Sequence, residues 1–536
     1  MKMQDYASAF PSDVESYRAA TSFELAGKEL TYTLDNGAAV ALAFAKYPRK
    51  ELYFDGNADA VRYDCVKISE QVLYITYVLP EIFVAYVLDM ESGRITRIVT
   101  GNNSKTTINF GTASGSKDYH TFTDDLRGNT VRWTLGKKGA SIFLTGYGDG
   151  ATRVSRPFAA DAPDITVTDS RIVRITEYIY LHIVSAHING RMLNVNSVCN
   201  FYNLTCSGSI YDLSAAVSQS CKSFSGYGRI MSEYETDGVD LRALCPFYSK
   251  GGITQYAAPR CFELSGERFE LAMDDGYDYT LDFLDGETLE WTQGGNKPGK
   301  ACYLCDKGDD FTYLVSFELS GASPRVNHAF VIDRENNLVT RLISKIGFNP
   351  KYPYLIKTEY EFGVIRQDGV EVNPYPRHGF TDDVVGTAAQ WACGSKMASV
   401  HAYYCSDFYR ITYTRDPAFL VDGKVTGNMF TSDDIPSTDE PCTFIKIKDG
   451  MYLFTLTEEN MEKVLGAKLG FRSNTMNFLQ NFKTVRSVIR AFGTSTPPEG
   501  DDIKTHLMFT AYGKLVDADI DEGLRKLFSD PNPFLI

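Results

Sequence analysis

The sequence predicts an all-β protein of four small antiparallel β-barrels, a two-barrel unit written twice in tandem, with few and short helices. Three observations predict this. Four segments recur in the same order in the two halves. Apolar runs are short, rich in β-branched and aromatic residues, and separated by tight-turn signals. Aromatic residues reach 13%, with 33 Tyr and 33 Phe against 3 Trp, a usage that suits strands and apolar pockets better than helical bundles. At 536 residues the chain is also too long for one core.

The repeats come in this order. "FELAGKELTYTLDNG" from Phe23 matches "FELSGERFELAMDDG" from Phe262. "YVLDMESGRITRI" from Tyr86 matches "FVIDRENNLVTRL" from Phe330, aligning Asp89 with Asp333 and Thr96-Arg97 with Thr340-Arg341. "HTFTDDLRGNTVRW" and "HGFTDDVVGTAAQW" then agree at His120/His378, Phe122/Phe380, Thr123/Thr381, Asp124/Asp382, Asp125/Asp383, Gly128/Gly386 and Trp133/Trp391. Last, "EYIYLHIVSAH" answers "DGMYLFTLTEE", pairing Tyr180 with Tyr452. Collinear matches of this kind indicate tandem duplication, with the boundary near 245–255. Each half divides again where a glycine leads into a strand, at Gly27 and Gly128 and at Gly266 and Gly386. The expected divisions are an N-terminal extension over 1–20, barrels over 21–115, 116–250, 251–370 and 371–500, and a tail over 501–536.

Runs such as "LYITYVLPEIFVAYVLD" and "FTYLVSFELS" read as strands, and Asn36-Gly37, Asp275-Gly276, Ser92-Gly93 and Asp449-Gly450 as the turns between them. Helices are expected only in "SDVESYRAA", "LSAAVSQSCKSF" and "DIDEGLRKLF". A barrel of about eight strands has room for its own side chains or one small ligand.

The net charge of −14 argues against nucleic acid, and no basic run or apolar stretch of spanning length points to a membrane. The N-terminal "MKMQDYASAFPSDVESYRAA" lacks a signal-peptide core, and eleven scattered Cys suit reduced thiols, so a soluble cytoplasmic protein is expected. Self-association into a homo-oligomer is left open.

"LAGKELTYTLDNG" with "YVLDMESGRITRI" resembles the N-terminal domain of the molybdenum cofactor biosynthesis protein F (MoaF) family. "TDDVVGTAAQW" with "MYLFTLTEE", and their first-half counterparts, resemble that family's C-terminal domain. The resemblance implies calycin (lipocalin-like) barrels. "TYTLDNG" is also distantly similar to the opening of the phenolic acid decarboxylases, cofactor-independent calycin-like enzymes that use two tyrosines, an arginine and a glutamate. On that likeness Tyr32 stands at the first tyrosine and Leu34 at the second, and Leu79 at the glutamate. The fourth barrel has Trp391 and Cys393 at the tyrosine positions and Glu458 at the glutamate; the second has Trp133, Leu135 and Ala186.

The repeated Thr-Asp-Asp reads first as a structural turn, with Gly bending the chain into a strand and Trp plugging the barrel. His120 and His378 beside it are acid/base candidates, as is His182 in "YLHIVSAH". Glu458 is the strongest single catalytic candidate, since a carboxyl inside an apolar barrel is raised in pKa and can move a proton. "VHAYYCSDFYR" adds His401 as acid/base group and Tyr403, Tyr404 and Arg410, with Trp391 and Tyr32, as contacts for a phenol or carboxylate. No metal or cofactor site is expected. "GGNKPGKA" lacks the Ser or Thr of a phosphate loop and reads as a hairpin, and "CYLC" lies in a strand. The expected function is a cofactor-independent lyase or isomerase acting on a small apolar, aromatic or polyketide-like metabolite; the alternative is a lipocalin-like carrier of such a molecule. The fourth barrel is the expected site.

Overall fold

The computed structural model describes residues 13–101, 105–137, 141–148, 152–155, 157, 165–188, 191–213, 221–232, 237–246, 252–366, 376–395, 397–414, 420–421, 424–425, 437–461, 463, 471–495 and 501–516. The chain divides between Gly251 and Gly252 into two compact units. Each unit holds two antiparallel barrels.

In the first unit, eight strands from Glu29–Leu34 to Thr106–Thr112 follow one another up and down, and the first pairs the last through Thr33↔Thr112. Alternation explains the closure. Tyr32, Leu34, Val40 and Leu42 are buried while Thr31, Thr33, Ala39 and Ala41 face out, so one side of each strand fills the interior. The second barrel runs from Thr130–Thr134 to Cys221–Ile230, with Thr121–Phe122 added at an edge. The second unit repeats this plan. Its first barrel, the third of the chain, closes through Leu271↔Ile365. In the fourth, Thr387–Gly394 pairs with Ile503–Val516, and Phe408–Thr414 pairs with Thr438–Lys448, which pairs with Met451–Thr457.

Three expectations are corrected. Ile503–Val516 is no tail; it is the strand that closes the fourth barrel, as Cys221–Ile230 closes the second. Residues 1–20 are not all an extension. Asp13–Tyr17 is a 3₁₀ turn, Tyr17 packs 6.1 Å from Tyr227, and the Ala19 N–H donates to Ser225. Tyr256 and Ala258 repeat both contacts with Tyr512 and Thr510, so this strap belongs to the duplicated unit. The end of "LSAAVSQSCKSF" is strand from Cys221 onward, because its alternating residues complete a ladder with Thr205–Asp212. The helix expected in "DIDEGLRKLF" lies outside the described residues. "GGNKPGKA" is the turn of a hairpin between Thr288–Gln293 and Gly299–Lys307.

The repeated His-x-Phe-Thr-Asp-Asp segment joins the barrels within each unit. His120 Nδ1 and the Thr96 hydroxyl share a hydrogen bond of 2.8 Å, and His378 and Thr340 repeat it at 2.7 Å. The motif therefore meets the other repeated motif, Thr-Arg, of the preceding barrel. Asp125 accepts from the Tyr180 hydroxyl at 3.3 Å and Asp383 from Tyr452 at 3.1 Å, and both Asp N–H groups donate to the Thr of the motif at 3.1 Å. Gly128 and Gly386 turn with φ of +80° and +83°, and their N–H groups donate to the Tyr147 and Tyr403 carbonyls at 2.7 Å. The histidine Nδ1, the Thr hydroxyl and the second Asp of the motif are thus held in structural contacts. Thr340→Val should lower stability by about 1–3 kcal/mol, since it strands a buried imidazole nitrogen. An unchanged denaturant midpoint would contradict the latch.

Candidate active site

The contacts above fix which residues of the second and fourth barrels correspond. Trp133 corresponds to Trp391, Tyr147 to Tyr403, Tyr180 to Tyr452, and Gly228 to Gly513, against whose Cα the Trp ring lies in both barrels. Counting along the paired strands, His182 stands opposite Phe454, Ala186 opposite Glu458, Ser197 opposite Phe478, Thr145 opposite His401 and Gly208 opposite Ile489.

Those exchanges decide the interiors. In the fourth barrel His401 is fully buried among Tyr409, Phe454 and Phe478, with ring centroids 5.1, 5.8 and 5.3 Å away. The second barrel puts His182 and Ser197 where the two Phe rings stand and Gly208 in place of Ile489, and it holds a cavity of about 100 Å³. Its walls are almost wholly apolar, with Trp133, Phe143, Val184, Ala186, Val195 and Phe224 among them. Polar atoms come from few residues. His182 Nε2 lies 3.0 Å from the Ser170 hydroxyl and 3.3 Å from that of Thr152, which are 2.6 Å from each other. The Tyr147 ring is 5.3 Å from His182, and its buried hydroxyl is turned toward the Trp133 indole, as Tyr403 is toward Trp391. Burial pushes His182 down to about 4, so the ring is neutral at pH 7, and it pushes the Tyr147 hydroxyl and the Cys199 and Cys206 thiols up.

The two barrels also differ at their wall. Among the described residues, Thr152–Ser155 and Thr166–Arg174 of the second barrel form no ladder with each other. Thr152, Ser170 and His182 lie on that seam. In the fourth barrel the same seam is a ladder, Tyr409↔Glu440 and Arg410↔Asp439, stapled by the bidentate Arg410–Asp439 ion pair at 2.8 Å.

The structure thus separates the expected site residues. His182 lines the cavity. Glu458 is buried at the end of its strand, its N–H donating to the Asn474 carbonyl. His401, Tyr403 and Trp391 are packed in the fourth barrel's core; the Tyr403 hydroxyl accepts from the Trp391 indole at 3.0 Å and from Gln480 at 2.8 Å. Tyr404 and Arg410 are turned from the interior, because Tyr409 and Ile411 take the inward side of that strand. Tyr32 is in the first barrel's core, pushed up to about 12 by burial and then by Asp89. His120 and His378 sit between barrels and reach no cavity residue through their hydrogen bonds, a correction that follows from Thr96 and Thr340 holding Nδ1.

Sequence reasoning missed two groups. Glu440 is fully buried, accepts from the Asn460 N–H at 2.8 Å and is raised in pKa by burial. The alternation Glu440, Cys442, Phe444 with an inward apolar pair was its signal. His328 stacks on Phe317 at 5.3 Å inside the third barrel, beside Trp291 and Tyr279. Its place in the strand "RVNHAFVID" carried the same alternating signal. No helix among the described residues is long and apolar enough to cross a membrane. None of the curated proteins matches the chain. The family model described as the MoaF N-terminal domain matches residues 250–347, the strap and first seven strands of the third barrel, which is accordingly similar to that domain.

Proposed function

We propose that the protein binds a small, largely apolar molecule of about one aromatic ring inside its second barrel. The cavity of about 100 Å³ beside His182 carries this reading. An apolar cavity of roughly 150 Å³ stays dry and accepts benzene, so a single ring is the right scale here, with the walls giving slightly. Apolar walls supply affinity, and His182 offers a polar edge to a hydroxyl or carbonyl on the ligand.

Acid/base turnover is the second reading, favoured by His182 facing the cavity. A base with a pKa near 4 is weak at pH 7, however, and general-base catalysis works best with a pKa near the working pH. Binding is therefore the better-supported role. Calorimetric titration of the full chain with phenol tests it, with saturable binding expected and heats of dilution alone contradicting it. His182→Gln separates the readings. Under catalysis it cuts turnover by about 10²–10⁴-fold with binding retained; under binding alone no turnover of the ligand is found in either protein.

A further inference from the structure

Among its described residues the second unit contains a buried cation with no anionic partner. Arg490 lies on the outer face of the fourth barrel, within the layer between the third and fourth barrels, and is 0% exposed. Its Nη2 donates to the Ser344 hydroxyl at 3.2 Å, while Nε and Nη1 have no partner. Among the described residues no carboxylate pairs with it; the Tyr360 hydroxyl opposes the effect of burial, and the Phe492 ring lies 5.9 Å from the guanidinium. The other groups around it are polar and neutral. Asn477, its ladder partner, donates to Thr455 at 3.1 Å and leaves its carbonyl oxygen unpartnered. Ser344 shares a hydrogen bond with Thr358 at 3.0 Å, and the Tyr360 hydroxyl faces Thr443 and Thr455.

A guanidinium does not shed its proton under ordinary conditions. An unpaired buried cation costs several kcal/mol, and hydrogen bonds to neutral groups do not cancel its charge. The barrel plan does not call for it either. The first unit has Ser209 at this position, bonded to the Tyr74 hydroxyl at 2.6 Å, and the charge in that layer, Asp64, is paired with Arg18 at 3.1 Å. We propose that Arg490 binds a small monovalent anion of the halide class in this layer, held by its free Nε–H and Nη1–H. The Asn477 amide, turned to present its N–H, and the hydroxyls of Tyr360 and Thr455 complete the shell. The anion then ties the third and fourth barrels together, the part played by the Tyr74–Ser209 contact in the first unit.

The test is thermal unfolding of the full chain in sodium chloride and in sodium gluconate at equal ionic strength. Chloride should raise the melting temperature of the wild type by a few degrees in a saturable way, and Arg490→Met should abolish the difference. Because Arg490→Met can also disturb packing, wild-type crystals soaked in bromide supply a second readout, with an anomalous peak expected against the guanidinium. Equal melting in the two salts, a chloride effect that survives in Arg490→Met, or a bromide map without a peak at Arg490 would each overturn the site.

Discussion

Ser197→Phe should weaken the binding of a one-ring probe on the order of 100-fold, about 2.7 kcal/mol, without unfolding the second barrel. The fourth barrel shows that the geometry accepts the change, because Phe478 occupies the same ladder position among buried neighbours. The new ring would lie against His182 and Val195 and fill the cavity that the ligand needs. His182→Phe, which copies Phe454, should act in the same direction. Overpacking costs about 1–3 kcal/mol where no space exists, so a melting temperature close to wild type marks a filled cavity. Calorimetry on the two variants checks both points. Undiminished binding in folded Ser197→Phe would place the ligand elsewhere.

Acidification should destabilise the fold between pH 6.5 and about 4, beginning above the range in which ordinary carboxylates titrate. Burial holds His120, His182 and His506 down to about 4 and His328 and His401 to about 3, and His378 is lowered too. Each ring is neutral in the fold and binds a proton once the chain unfolds. Their contribution is full above pH 6.5 and is lost as pH falls toward the folded values. Each fully buried ring contributes a few kcal/mol at most. Asp306, pushed up to about 6 by burial, and Glu440, also raised, act in the opposite sense, but they are outnumbered. Urea midpoints across pH 7.5 to 4 should fall monotonically with proton uptake on unfolding, and a flat profile down to pH 4.5 would refute the buried-histidine account.

The barrels were legible because strand alternation and turn chemistry are local. "ELTYTL" states both which side is buried and where the hairpin ends. The duplication was legible because the structural motifs, His-Thr latch and Tyr–Asp bond alike, must recur where the same joint recurs. The choice of barrel was not legible. It depends on side chains from different strands meeting across an interior, His182 with Ser197 in one case and Phe454 with Phe478 in the other. Nothing local to "YLHIVSAH" announces that the opposite wall is small. Glu458 drew attention because it stands at the glutamate position of the decarboxylase likeness; the cavity instead includes the corresponding Ala186 in its lining. The closing strand Ile503–Val516 was missed because it follows the last recognised repeat, and its pairing with Thr387–Gly394 spans more than a hundred residues.

The most direct measurement is a crystal structure of the full chain grown with phenol. The account predicts one phenol inside the second barrel, its ring against Trp133 and Val184 and its hydroxyl within hydrogen-bond distance of His182. An empty second barrel at a phenol concentration that saturates the calorimetric signal, with phenol bound elsewhere on the protein, would contradict it.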